Sequence, residues 1–193
     1  MPLAPKTPLS ETDYLNGELD AEFKHEFVAG EAFAMAGASE KHNIISLNIA
    51  SDMKFQLKSK KVTTFIADMK VGIQGDFYYP HVMIVCDEDQ NDTEYVKYAP
   101  KLIVEVLSKS TRAFDHSIKL EKYLKIAPLE YYVIVEQDYC EIPVFSRAAE
   151  FIPKFYHLGD EIDFPIISIS VTVNDIYDRI ENEDKQRYLK SLL

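Results

Sequence analysis

The sequence is short of glycine and cysteine and has no long apolar run. Six glycines leave little room for a phosphate-cradling P-loop, a Gly-rich dinucleotide turn or a nucleophile elbow, and none of these motifs occurs. Two cysteines, Cys86 and Cys140, are too few for a disulfide framework or a zinc site. Each lies in an apolar, strand-like context and reads as a small buried hydrophobe. No stretch reaches the ~18 apolar residues expected of a membrane span, and MPLAPKTPLSETDYL carries no apolar core of a signal peptide. These absences predict a cytoplasmic protein without membrane contact. Internal repeats and low-complexity linkers are also missing.

Positive charge is the other scarcity. Lys and Arg total 21 against 32 Asp and Glu, a formal net charge of −11. A protein that grips nucleic acid along a track neutralises many phosphates with Lys and Arg, and this chain is poorly equipped for that. DNA is therefore expected as a weakly held partner, met through one local group of cations: Lys109, Arg112, Lys119, Lys122 and Lys125. Asp115 and Glu121 interrupt that group, so a solvated helix face is an equal reading. Acidity does not exclude a metal-dependent site, because metal ions offset the charge of their carboxylate ligands.

What is present is ordinary globular composition over 193 residues, 47% hydrophobic and 27% charged, enough for one domain with its own core. Residues 1–9 contain three prolines and read as a loose arm, and residues 181–193 as a charged tail. Ser10 and Asp13 predict a capped helix over Glu11–Asn16. FKHEFVAGEAFAMAG predicts a hairpin turning at Ala29-Gly30. Ser39 predicts the N-cap of a long helix to Ser59, with Ile45, Ile49 and Met53 as its apolar stripe. VTTFIADMKVGI, YYPHVMIVC and KLIVEVLS predict strands, the last two apolar on both faces as in a sheet centre. A helix from Asp115 to Ile126, two antiparallel strands turning near Gln137-Asp138, a strand over Phe151–Leu158 and a short helix in SVTVNDIYDRI complete the order. That order predicts an α/β (α+β) fold, a mixed sheet flanked by helices in one domain over 1–193.

Glu105 interrupts the apolar run Leu102–Leu107, where an ionised carboxylate is costly unless paired or bound to a cation. Three readings stand side by side: a pair with Lys or Arg, a strand end facing water, or a metal ligand or catalytic acid. His81 interrupts the other apolar strand just after Pro80. Glu26 and Glu31 flank the hairpin turn, and Lys119 lies on the helix after Glu105. Carboxylates on strands with a lysine nearby are the kit for metal-assisted phosphodiester hydrolysis.

Taken in order, KHEFVAGEAFAMAGASEKHN, FIADMKVGI, YYPHVMIVC, KLIVEVLSKST and DHSIKLEKYLKI followed by EYYVIV resemble the Uma-type family of predicted restriction endonucleases, within the PD-(D/E)XK superfamily. The resemblance runs from Phe23 to Phe145. It implies a restriction-endonuclease-like fold and DNA cleavage dependent on a divalent metal, Mg²⁺ or Mn²⁺. It also implies Glu105 as an acidic ligand, Lys119 in place of the superfamily lysine that would fall on Leu107, and Glu26 or Glu31 completing the metal shell. His42 and Asp68 match recurrent positions. The departure is His81, where the pattern has Asp after Pro. Imidazole in place of carboxylate weakens Mg²⁺ and suits other metals. Either the site takes a different metal such as Mn²⁺, with His81 among the ligands and catalytic groups, or the fold persists as an inactive homo-oligomer or protein-interaction module. A homodimer is expected.

Overall fold

The computed structural model describes residues 8–35, 37–86, 92–107 and 118–192. Local signals in the first third act as the sequence predicts. Ser10 accepts from the Asp13 N–H and caps α1 (Glu11–Leu19). Strands β1 (His25–Val28) and β2 (Glu31–Ala34) form the hairpin, turning through Ala29 (φ 51°) and Gly30 (φ 84°). Positive φ at both turn residues matches the twist of paired strands. Ser39 accepts from the His42 N–H and caps α2 (Glu40–Gln56), which buries Ile45, Ile49 and Met53.

Two expected strands each divide. VTTFIADMKVGI breaks at Ala67 (φ 56°) into β3 (Val62–Ile66) and β4 (Lys70–Ile73), which belong to different sheets. YYPHVMIVC contributes Tyr78 to β5 (Asp76–Tyr78), and β6 (Val82–Cys86) follows in the other sheet. Pro80, with no N–H to give a ladder, suits this crossing.

The smaller sheet has the order β2-β1-β5-β4-β7, with β7 at Val96–Lys97 parallel to β4. The larger has the order β11-β10-β9-β8-β6-β3. Its strands β8 (Pro100–Leu107) and β9 (Tyr131–Glu136) are parallel. β10 (Glu141–Ser146) and β11 (Pro153–His157) extend it antiparallel. The sheet is therefore mixed, as expected. A hairpin that the sequence reading did not contain, β12 (Glu161–Phe164) with β13 (Ile169–Thr172), forms a separate pair. Short helices α3 (Leu120–Tyr123) and α4 (Val173–Ile176), a 3-10 turn at Arg147–Ala149 and the charged α5 (Glu183–Ser191) complete the described elements.

Both faces of the larger sheet are covered, which explains the doubly apolar strands. One face packs Val82, Ile84, Leu102, Val104 and Val106 against α2, α4 and the β12–β13 hairpin. The other packs Met83, Ile103 and Leu107 against Val71 and Tyr78 of the smaller sheet and Tyr123 of α3. No described helix is long and apolar enough to cross a membrane. The expectations for residues 1–7, Lys109, Arg112 and the cap at Asp115 lie outside the described residues.

Candidate active site

Strand alternation on β8 sends Val104 and Val106 to the α2 face and Glu105 to the other. There Glu105 is fully buried, at 0% exposure. The Tyr123 hydroxyl donates to its Oε1 at 2.8 Å and Lys119 Nζ donates to the same oxygen at 3.2 Å. Lys119 Nζ also lies 2.8 Å from Glu26 Oε1, on β1 of the other sheet. The Tyr79 N–H adds a 3.2 Å bond to that Glu26 oxygen. One ammonium group thus bridges two buried carboxylates that come from different sheets. Burial alone would raise the Glu105 pKa. Lys119, His81 and Tyr123 together outweigh that largest single effect and hold the carboxyl at about 2. Glu26 is raised above its usual value, first by burial, although Lys119 opposes this.

His81 lies on the crossing between sheets, one residue before β6. Its Nδ1 makes a close ion-pair contact with Glu105 Oε2 and accepts the Val106 N–H at 3.1 Å. The β6–β8 ladder ends at Val82↔Val104, so the imidazole takes over where the next carbonyl would have been. One ring nitrogen cannot donate to Glu105 and accept from Val106 together. The two contacts therefore compete for Nδ1: a proton there serves Glu105, and a lone pair there serves Val106. Glu105 Oε2 is buried with only this ring nitrogen beside it and no well-formed hydrogen bond. His42, in the first turn of α2, meets His81 edge-on with ring centroids 4.2 Å apart. It is buried, and its Nδ1 has no partner among the described residues. Burial, then the neighbouring His81, lowers its pKa to about 4, so it is a neutral imidazole near pH 7.

The structure thus brings Glu26, His81, Glu105 and Lys119 together. Glu31 does not join them. Register places it on the face of Glu26 but at the turn, opposite Val28, and the whole of edge strand β2 is exposed. Asp68 is also apart, in an exposed ion pair with Lys24. Lys122 pairs with Asp76 at 2.5 Å and Lys125 with Glu121 at 2.7 Å, so these two members of the basic group are locally neutralised. Tyr123 and Tyr79 were missing from the sequence reading. Tyr123 had a signal, standing four residues after Lys119 on the same helical face. Tyr79 acts through its backbone and had none.

A family model described as "Uma2: Putative restriction endonuclease" matches residues 12–174. The chain belongs to the Uma2 family. Two relatives of this Uma2 chain are the uncharacterized proteins slr1290 and sll1609 of Synechocystis sp. (strain ATCC 27184 / PCC 6803 / Kazusa). The first is 31% identical over 181 residues, covering 91% of this chain and 95% of the relative. The second is 31% identical over 168 residues, covering 83% and 95%. The crystal structure of "a putative nuclease belonging to DUF820" from Anabaena variabilis ATCC 29413 superposes with a TM-score of 0.77 at 13% identity, over 90% of this chain and 100% of that one. At that identity the likeness concerns the fold, which is the restriction-endonuclease-like one.

Restriction-endonuclease-like nucleases generally use divalent metals. Among the described residues of this Uma2 chain, no three His, Cys, Asp or Glu side chains are already gathered around one point. The site does offer two buried, unbonded acceptors, Glu105 Oε2 and His42 Nδ1, beside Glu26 and His81. That mixed oxygen and nitrogen set fits the chemistry of a Mn²⁺- or Zn²⁺-type cation better than Mg²⁺.

The buried His42 gives a pH signature. Its pKa falls from 6.5 to about 4 on folding. The unfolded chain therefore takes up the proton first, and this contribution to stability is present above pH 6.5 and lost as pH falls toward 4. Glu26 works the other way, since protonation relieves its burial. Comparing the parent with His42→Gln isolates the histidine. The stability difference between the two should change by on the order of 3 kcal/mol across that window in urea unfolding. A pH-independent difference would mean that His42 is not held neutral by the fold.

Proposed function

We propose that this chain is a divalent-metal-dependent DNA endonuclease that hydrolyses phosphodiester bonds at the Glu105 cluster, with His81 shifting its metal preference from Mg²⁺ toward Mn²⁺. The observation that carries the reading is Glu105 itself. It is fully buried and anchored through Oε1 by Tyr123 and Lys119, while its Oε2 has only the His81 ring nitrogen beside it and no well-formed hydrogen bond. A buried acceptor without a donor is costly, and a cation is one partner that removes the cost.

In this reading Glu105, Glu26 and the imidazoles of His81 and His42 would hold the metal. When bound, it polarises the phosphate and lowers the pKa of a coordinated water. Tyr123 fixes the rotamer of Glu105. Lys119, released from part of its double ion pair, steadies the charge that develops on the phosphoryl oxygens. Without metal, His81 keeps the end of β8 in register through the Val106 N–H, a bond that Nδ1 would give up on joining the metal. Specificity for a DNA sequence would come from base-edge contacts elsewhere.

One observation favours a second reading, an inactive member acting as a homo-oligomer or interaction module. Lys119 already balances much of the charge of Glu26 and Glu105. Supercoiled plasmid nicking and calorimetry separate the two. The endonuclease reading expects nicking with Mn²⁺, weaker nicking with Mg²⁺, and loss of both nicking and calorimetric Mn²⁺ binding in Glu105→Ala. Absence of binding by either metal in the parent would favour the inactive reading.

A further inference from the structure

β3 closes one side of the larger sheet and has only β6 beside it. The phase of its backbone is fixed by its end. The Ala67 N–H donates to the His81 carbonyl at 3.0 Å, continuing the register Ile66↔Val82. Hydrogen-bonded positions alternate along an antiparallel ladder. Thr63 and Phe65 therefore turn their backbone groups to β6, whereas Val62, Thr64 and Ile66 present N–H and C=O outward. Among the described residues, the Asp68 N–H reaches the Ile66 carbonyl at 2.6 Å, and no other backbone group outside the sheet meets these three.

Proteins usually blunt such an edge with proline, charge or a covering element. The opposite edge strand, β11, carries Pro153, Lys154 and His157. β3 reads VTTFI, without proline or charge and rich in strand formers. Its surroundings are also unfinished. The Thr64 hydroxyl is buried with no partner among the described residues. Phe55, in the last turn of α2, is 79% exposed. It shares with Leu57, Val62 and Thr64 a groove of about 550 Å³.

We propose that two copies of this chain pair β3 with β3 in antiparallel fashion, about a two-fold axis through Thr64, so that the larger sheet runs on across the dimer. The axis at Thr64 is the one that uses the outward phase fully. Val62 pairs with Ile66 of the partner subunit, Thr64 with Thr64 of the partner subunit, and Ile66 with Val62 of the partner subunit, each pair exchanging two bonds. The same register carries the lysines at 60–61 to Asp68 of the partner subunit. That local complementarity counters the mutual repulsion of two acidic chains. Val62 packs with the α2 side of the core, so alternation puts Thr64 on that face too. The two Thr64 residues then face each other across the axis as a cross-strand pair, and the Phe55 rings flank it. The contact is isologous, as a two-fold dimer requires. It is independent of the nuclease reading, because no residue of the Glu105 cluster takes part.

Sedimentation equilibrium on the full chain is expected to give twice the 22.2 kDa of one chain. Thr64→Pro removes only an outward N–H and spares the β3–β6 ladder, and it should weaken the dimer about ten-fold or more. Circular dichroism checks that this variant folds. Independently, Thr64→Cys should oxidise to a covalent dimer on a non-reducing denaturing gel, since paired Cα atoms lie about 5.5 Å apart. Thr63→Cys, facing the other way, should not, nor should the parent with Cys86 and Cys140. A monomeric parent overturns the proposal. So does a dimer of unchanged affinity in folded Thr64→Pro, or cross-linking as efficient at position 63 as at 64.

Discussion

Lys119→Ala is expected to destabilise the protein by about 3–5 kcal/mol at neutral pH, measured by urea unfolding. For a chain of this size that is on the order of 10 °C in Tm. The reason is the shared ammonium. Without it, Glu26 and the fully buried Glu105 become two uncompensated carboxylates in one pocket. The sign of the pH dependence also changes. In the parent, Glu105 lies at about 2, below its value of 4.5 when unperturbed. It therefore contributes stability that is present above pH 4.5 and lost as pH falls toward 2. In Lys119→Ala burial dominates and the carboxyl pKa rises, so the penalty is largest at neutral pH and shrinks as acid protonates the pair. Mn²⁺ should return part of the lost stability by standing in for the missing cation. An unchanged melting temperature would show that Lys119 is not what keeps Glu105 ionised.

The second large effect is expected at His81. His81→Asp replaces an imidazole with the oxygen ligand that Mg²⁺ prefers. It should raise Mg²⁺ affinity by roughly ten-fold or more, ~1.4 kcal/mol, and should bring in Mg²⁺-dependent nicking. The Mn²⁺ affinity of the parent should change much less, because Mn²⁺ accepts both donor types. The exchange has a structural cost, since the Val106 N–H loses the ring nitrogen at 3.1 Å and must turn to the shorter carboxylate or to water. Calorimetry with both metals measures the preference directly. If the ratio of Mg²⁺ to Mn²⁺ affinity stays the same in His81→Asp, residue 81 does not select the metal.

Much of this architecture could be read before any coordinates. Caps at Ser10 and Ser39 and the Ala29-Gly30 turn are local chemistry, and each acts where expected. Glu105 stood out because a charge inside an apolar strand needs a partner, and the partner is the lysine on the following helix. What escaped depended on distance across the fold. Strands that are apolar on both faces carry no mark of which sheet they join, so the breaks at Ala67 and Pro80 were hidden. Glu26 and Glu31 are equivalent by hairpin periodicity. They differ because Lys119 and Tyr79 enclose Glu26, while Glu31 stays on an open edge. His42 and His81 come together only because the N-terminal turn of α2 ends beside the crossing at Pro80, and no spacing in the sequence encodes that meeting.

Only residues 79–81 link the end of β5 to the start of β6. At about 3.3–3.6 Å per residue this tether has almost no slack, so the two layers are joined like the covers of a book at its spine. Two further short crossings, residues 67–69 and 98–99, join the same two layers, so the layers cannot part there and His81 is held at the seam between them.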